Sequence, residues 1–263
     1  MKHFAILTLA MLLTISSASA QKKKGNQKNS EPAKTETPAV QPATPAAQAP
    51  AKDTTAALPS INPFLRHFLV KYQVASQFAD YDVARDAIYD LLVENAGVDS
   101  LLLNLQYLYL ENQKYTQGVL VGKAILARDG RNEAALEMTA SAFEALNIKD
   151  QALSNYETLY LVTNSFPAIY KMAFLQYELK KYPECTASTD IILSRKEADE
   201  LTATFPVGQD KTKDFKIRVA ILNLKGMVAR ENGDKPTAKK YFEQALALAA
   251  DFQPAKENLS KLK

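Results

Sequence analysis

Four short segments, spaced almost evenly, constrain the fold more than anything else in this chain. Ala79-Asp80-Tyr81-Asp82-Val83-Ala84, Gln113-Lys114-Tyr115-Thr116-Gln117-Gly118, Asn147-Ile148-Lys149-Asp150-Gln151-Ala152 and Lys180-Lys181-Tyr182-Pro183-Glu184-Cys185 each end in a small residue, at spacings of 34, 34 and 33. A fifth, Gly233-Asp234-Lys235-Pro236-Thr237-Ala238, follows at 53, which is one period plus about nineteen extra residues. Each reads as a tight turn followed by a helix start, with Asp, Asn or Pro in or near the first turn. A small residue recurring at the same register implies that the second helix of each pair approaches the first closely. Self-similarity at this period is the mark of a repeat architecture, in which each unit buries its apolar face against its neighbours.

The period and the columns resemble the tetratricopeptide repeat (TPR) family, whose unit is a pair of antiparallel helices in 34 residues. The fifth unit is the best match: Leu222-Asn223-Leu224-Lys225-Gly226 on its first helix, Gly233-Asp234 at the turn, and Ala238, Tyr241-Phe242 and Ala245-Leu246 on its second. The resemblance implies an all-α, TPR-type helical-hairpin solenoid, wound as a right-handed superhelix. Five repeats are expected over about 65–98, 99–132, 133–165, 166–218 and 219–252, with a capping helix at 253–262. The fourth carries an insert near 194–215 that begins as helix and breaks at Pro206-Val207-Gly208. The insert could cap a groove, mediate dimerisation or do nothing specific. The helix-one small-residue column holds Ala140, Ala173 and Gly226, but Tyr72 and Gln106 stand there in the first two repeats.

The first sixty residues read differently. Met1 to Ala20 has a basic Lys2, an apolar run from Phe4 to Ile15 and a small-residue end at Ala18-Ser19-Ala20, the pattern of a signal peptide cleaved near Ala20. The expected product is exported, periplasmic or secreted, with no transmembrane span in the mature chain. Residues 21–58 are rich in Pro, Ala, Lys, Thr and Gln and hold no aromatic residue, so they read as a disordered low-complexity linker ahead of a TPR domain at 59–263. Lys22, Lys23 and Lys24 offer weak contact with an anionic envelope surface, although a basic run at this place is also an ordinary solvated flank.

Of 32 basic and 29 acidic residues, seven and three precede residue 59, which leaves 25 and 26 in the folded part. That balance lacks the basic footprint of a nucleic-acid binder. Catalytic parts are scarce. His67 is the one histidine left after the signal, and Cys185, the only cysteine, sits in the small-residue column as a buried thiol would. No phosphate-binding glycine loop, nucleophile elbow or zinc-protease motif occurs. We therefore expect no enzyme activity, no cofactor and no metal.

The resemblance implies a ligand groove on the concave face, along the first helix of each pair. Its positions carry over to Leu103, Tyr107 and Leu110; to Glu137, Ser141 and Glu144; to Tyr170, Phe174 and Tyr177; and to Asn223, Met227 and Arg230. Tyr170, Phe174 and Tyr177 share one helix face and are either a binding stripe or core. Leu69 and Gln73 occupy positions where some relatives clamp a terminal carboxylate, which argues against that ligand class. The expected function is a protein- or peptide-binding adaptor or scaffold in the bacterial envelope. The alternatives are a wall- or membrane-associated structural protein acting through its basic tether and, further off, an envelope hydrolase on a helical scaffold.

Overall fold

The computed structural model describes residues 62–95, 98–208 and 211–262. The expected signal peptide, the linker and the Lys22–Lys24 contact lie outside these residues. The described part is built of helix pairs: α1 (Pro63–Gln77) with α2 (Tyr81–Glu94), α3 (Asp99–Glu111) with α4 (Tyr115–Leu126), α5 (Glu133–Ala145) with α6 (Lys149–Thr163), α7 (Phe166–Glu178) with α8 (Tyr182–Ser194), and α10 (Ile217–Glu231) with α11 (Lys235–Leu248). Between the fourth and fifth pairs stand the single turn α9 (Glu197–Glu200) and the strands β1 (Thr202–Gly208) and β2 (Lys211–Lys216). α12 (Gln253–Ser260) ends the described chain.

The turn inside every pair has the same backbone. Ala79, Gln113, Asn147, Lys180 and Gly233 all adopt left-handed φ, from 55–59° in the first four to 80° at the glycine. The residue after each donates its N–H to a carbonyl five back: Asp80 to Ala75, Lys114 to Tyr109, Ile148 to Phe143, Lys181 to Gln176 and Asp234 to Ala229, at 2.8–2.9 Å. These are Schellman ends, which satisfy the last carbonyls of the first helix while reversing the chain. In the first and last pairs a side chain then caps the next helix. The Asp80 carboxylate accepts from the Val83 N–H at 3.2 Å, and Asp234 accepts from Thr237 at 3.0 Å. Asn132 and Ser165 do the same for α5 and α7, accepting from Ala135 and Ala168.

The small-residue column is buried throughout: Ala84, Ala152, Cys185 and Ala238 are fully enclosed, and Gly118 is buried too. One core runs from Val119 on α4 through the third to fifth pairs and the insert to Ala255 on α12, and a smaller cluster of Ala75, Ala84, Ile88, Leu105, Leu108 and Tyr109 joins the first two pairs. Gln106 departs from the other small-residue column, that of the first helices, without disturbing the packing. It is fully buried, and its amide donates to the Thr139 hydroxyl at 2.9 Å, across the space left by Gly122. A Cβ on Gly122 would lie 2.0 Å from Thr139 Oγ1 and 2.3 Å from Gln106 Nε2. The larger side chain on one helix is thus matched by a missing one on its neighbour.

Helical periodicity does not reveal the insert's hairpin. β1 and β2 pair antiparallel from Thr202↔Lys216 to Gly208↔Lys211, with an irregularity between Pro206 and Gly208, where a proline cannot donate to the ladder. Ala203, Phe205 and Phe215 are buried. Phe205 and Phe215 stack edge-on against Phe252, with centroids 5.1 and 4.9 Å away, so the hairpin is fastened to the start of α12. The Arg218 guanidinium grips the Asp199 carboxylate through two bonds of 2.5 and 2.7 Å, and a third to the Leu193 carbonyl ties the insert to the end of α8.

Candidate functional site

A cavity of about 430 Å³ opens among the first helices of the second to fifth pairs. Leu110 at the end of α3, Glu137 and Ser141 on α5, and Tyr170 and Lys171 on α7 border it. The insert closes one side, with Thr202 at the start of β1 and Ile217 at the start of α10. Glu137 and Ser141 stand one above the other on α5, because residues four apart on a helix share one face. The Ile217 N–H donates to the Leu201 carbonyl at 3.1 Å, which holds both ends of the hairpin at the rim.

Charge in and around the cavity is unevenly balanced. The Glu144 carboxylate accepts from the Tyr156 hydroxyl at 2.6 Å and from Lys171 Nζ at 3.1 and 3.2 Å. Burial, then the adjacent Glu144 charge, pushes the Tyr156 phenol far above its usual range, so it stays a neutral donor. Glu137, two turns earlier on the same helix, is exposed and has no ion-pair or hydrogen-bond partner among the described residues. Tyr170 is 2% exposed, and its hydroxyl has no hydrogen-bond partner. Burial raises this phenol as well, so it too remains protonated at neutral pH.

The twelve expected groove residues stand in different surroundings. Leu110, Glu137, Ser141 and Tyr170 border the cavity. Leu103 is half-buried and Tyr107 is half-exposed on α3. Glu144 stands behind the cavity, held by Tyr156 and Lys171. Of the aromatic stripe, Tyr170 is core, packed on Phe174 with centroids 5.0 Å apart, while Phe174 and Tyr177 are half-buried against that core. Two of the fifth-pair residues, Asn223 and Arg230, are taken up by α12. Asn223 is 7% exposed and accepts from the Asn258 amide at 3.0 Å, Arg230 donates to the Asn258 carbonyl oxygen at 3.0 Å, and half-buried Met227 takes a contact from Asn223 at 3.5 Å. Thus α12 covers with hydrogen bonds a stretch expected to be open groove.

Several bordering residues were not picked out from the sequence: Lys171, Tyr156 on a second helix, Thr202 of the insert and Ile217 just after it, at the start of α10. Lys171 carried a usable signal, since it follows Tyr170 and stands 27 residues from Glu144 in the adjoining first helix. The insert residues carried none. Cys185 is buried, its thiol donating to the Ala173 carbonyl at 3.2 Å, and His67 is an exposed residue beside Phe68. Among the described residues no group of His, Cys, Asp or Glu is arranged to hold a metal, and no helix is long and apolar enough to cross a membrane. A second hollow, of about 340 Å³, lies beside Asp190, Lys225 and Tyr241. Lys225 pairs there with Asp190 and lies over the Tyr241 ring at 5.0 Å, so the one cation lining that hollow is already matched.

No family model matches the chain, and no curated protein matches it in sequence. Solved structures do match in shape. A tetratricopeptide repeat protein from Parabacteroides merdae superposes with a TM-score of 0.58 at 16% identity, covering 76% of this chain and 73% of that one. MamA from Desulfovibrio magneticus gives 0.55 at 10% identity over 73% and 98% of the two chains. YrrB, described as a TPR protein with an unusual peptide-binding site, gives 0.58 at 10% identity over 72% and 89%. The described residues therefore have the tetratricopeptide-repeat fold: stacked helical hairpins in a solenoid, into which this chain inserts a β-hairpin.

Proposed function

We propose that the chain is a non-enzymatic adaptor of the bacterial cell envelope, which holds a protein or peptide partner on the concave face of its solenoid. The carrying observation is the cavity on the first helices of the second to fifth pairs, where an unmatched carboxylate and an unpartnered buried hydroxyl meet an apolar wall. Sites for small groups and side chains are typically concave, mostly apolar and furnished with a few fixed polar groups. The likeness in fold to YrrB, whose description names a peptide-binding site, supports the same reading. The signal-like start of the chain supports export.

The test is affinity capture from envelope extracts, using the full chain beside a Tyr107→Ala/Ser141→Arg variant. Tyr107 is 50% exposed and Ser141 is exposed on its helix, so both changes should move stability by no more than about 0.5 kcal/mol. Loss of one defined partner set with an unchanged melting curve is the expected result. Capture that ignores both substitutions would move the function to the convex face, the insert or the tether. Recovery of the chain in the cytoplasmic fraction of its native cells would remove the envelope from the proposal.

A further inference from the structure

The cavity has a chemical bias. Glu137 contributes a carboxylate that no described cation neutralises, while the only cation at its border, Lys171, is already held by Glu144 at 3.1 Å. Tyr170 is almost wholly buried, yet its hydroxyl lacks the partner that buried hydroxyls nearly always find. Leu110, Met138 and Ile217 provide apolar wall between these groups. About 430 Å³ is room for one large side chain with some of its backbone.

We propose that this cavity receives a cationic side chain of the bound peptide, arginine in preference to lysine. The inference rests on the peptide-binding reading and names what that site selects. The aliphatic stem would lie on Leu110, Met138 and Ile217, and the head would donate to the exposed Glu137 carboxylate and, once the side chains over it part, to the Tyr170 hydroxyl oxygen, which is closed to solvent in this structure. An arginine head has five N–H donors in a planar fork and is weakly hydrated, so it can serve both acceptors at once. A lysine head has three donors and gives up its water less readily. An acidic side chain would face Glu137 with its own charge, and an apolar one would leave both polar groups unmet.

Two arms test this. In the first, phage-displayed random peptides are selected on the full chain, and the winners are synthesised with arginine or with citrulline, its neutral near-isostere. The second titrates Nα-acetyl-arginine methylamide, with the citrulline analogue as control, into chain labelled at its Leu, Ile and Met methyl groups. The expected result is an arginine in the selected motif, with affinity falling about tenfold on either citrulline replacement or Glu137→Gln, the loss of one charge-assisted contact. The arginine probe should shift the Leu110, Met138 and Ile217 signals in the parent chain and not in Glu137→Gln. Tyr170→Phe should weaken arginine peptides more than citrulline ones. Peptides that bind without a cation and ignore Glu137→Gln would overturn the cationic pocket and leave the adaptor reading intact. A probe that shifts the cavity signals when no peptide is selected would do the reverse. Signals that move only after residues 21–58 are deleted would mean that the chain's own lysines compete for the pocket, and would overturn an external occupant.

Discussion

Gly226 shows how little space separates the two helices of a pair. A Cβ there would lie 2.4 and 2.6 Å from Cε1 and Cδ1 of Phe242, a fully buried ring with nowhere to withdraw. Gly226→Ala gains about 1 kcal/mol of helix propensity but overpacks the pair by up to ~3 kcal/mol. A net loss of about 2 kcal/mol is expected, a fall of ~4–8 °C in a thermal melt followed by circular dichroism. Adding Phe242→Leu should return part of it. Ala173 fills the equivalent place in the fourth pair, and Cys185 meets it from the second helix, its thiol donating to the Ala173 carbonyl. Burial pushes its thiol up to about 12, against a smaller pull downward from Lys225. A raised thiol contributes stability that is complete below the unfolded value near ~8.5 and fades as pH climbs from there toward 12. At pH 8 the native chain should react with a thiol reagent orders of magnitude more slowly than the chain in guanidinium. Comparable rates would show that the fourth pair opens readily.

The turns explain why the helix pairs are legible in sequence. Five Schellman turns follow the same spacing as the small residues, because a fixed turn and a fixed close approach together set the length of the unit. Only the last turn uses glycine. Nothing lies within 4 Å of a Cβ built on Gly233, so Gly233→Ala tests backbone strain alone, and a loss of about 1 kcal/mol is expected by melting. The hairpin was not legible. Its strands are short, and Pro206 and Gly208 read as a break rather than as a bulged ladder. What fastens it, Phe252, is 37 residues beyond Phe215 and gives no periodic signal. The aromatic stripe was ambiguous for a related reason: spacing puts Tyr170, Phe174 and Tyr177 on one face but says nothing of what covers that face. Phe252→Ala should remove about 3–5 kcal/mol of local packing. Amide exchange of Thr202–Lys216 should accelerate well beyond that of α5 and α6. Uniform acceleration would mean that the insert and the solenoid unfold together.

At the scale of the whole described chain, the insert is the feature that the repeat alone does not call for. Thr202 pairs with Lys216, and Ile217 bonds to Leu201, so the hairpin leaves and rejoins the solenoid at one point. Residues 202–216 can therefore be replaced by a two-residue Gly-Gly link without stretching the helices on either side. Excision removes the burial of Phe205 and Phe215, worth about 1.5–3 kcal/mol each, but also the ordering entropy of the whole hairpin, about 1–2 kcal/mol for each residue. These oppose each other, and the helical circular dichroism spectrum should survive. The cavity, however, loses Thr202 and the brace that holds Ile217, and becomes open groove. If the insert turns a general groove into a selective pocket, the excised chain should still capture peptides but discriminate arginine from citrulline several-fold less. If discrimination persists, Glu137 and Tyr170 suffice for selection, and the hairpin serves instead to cover Phe252 and the start of α12.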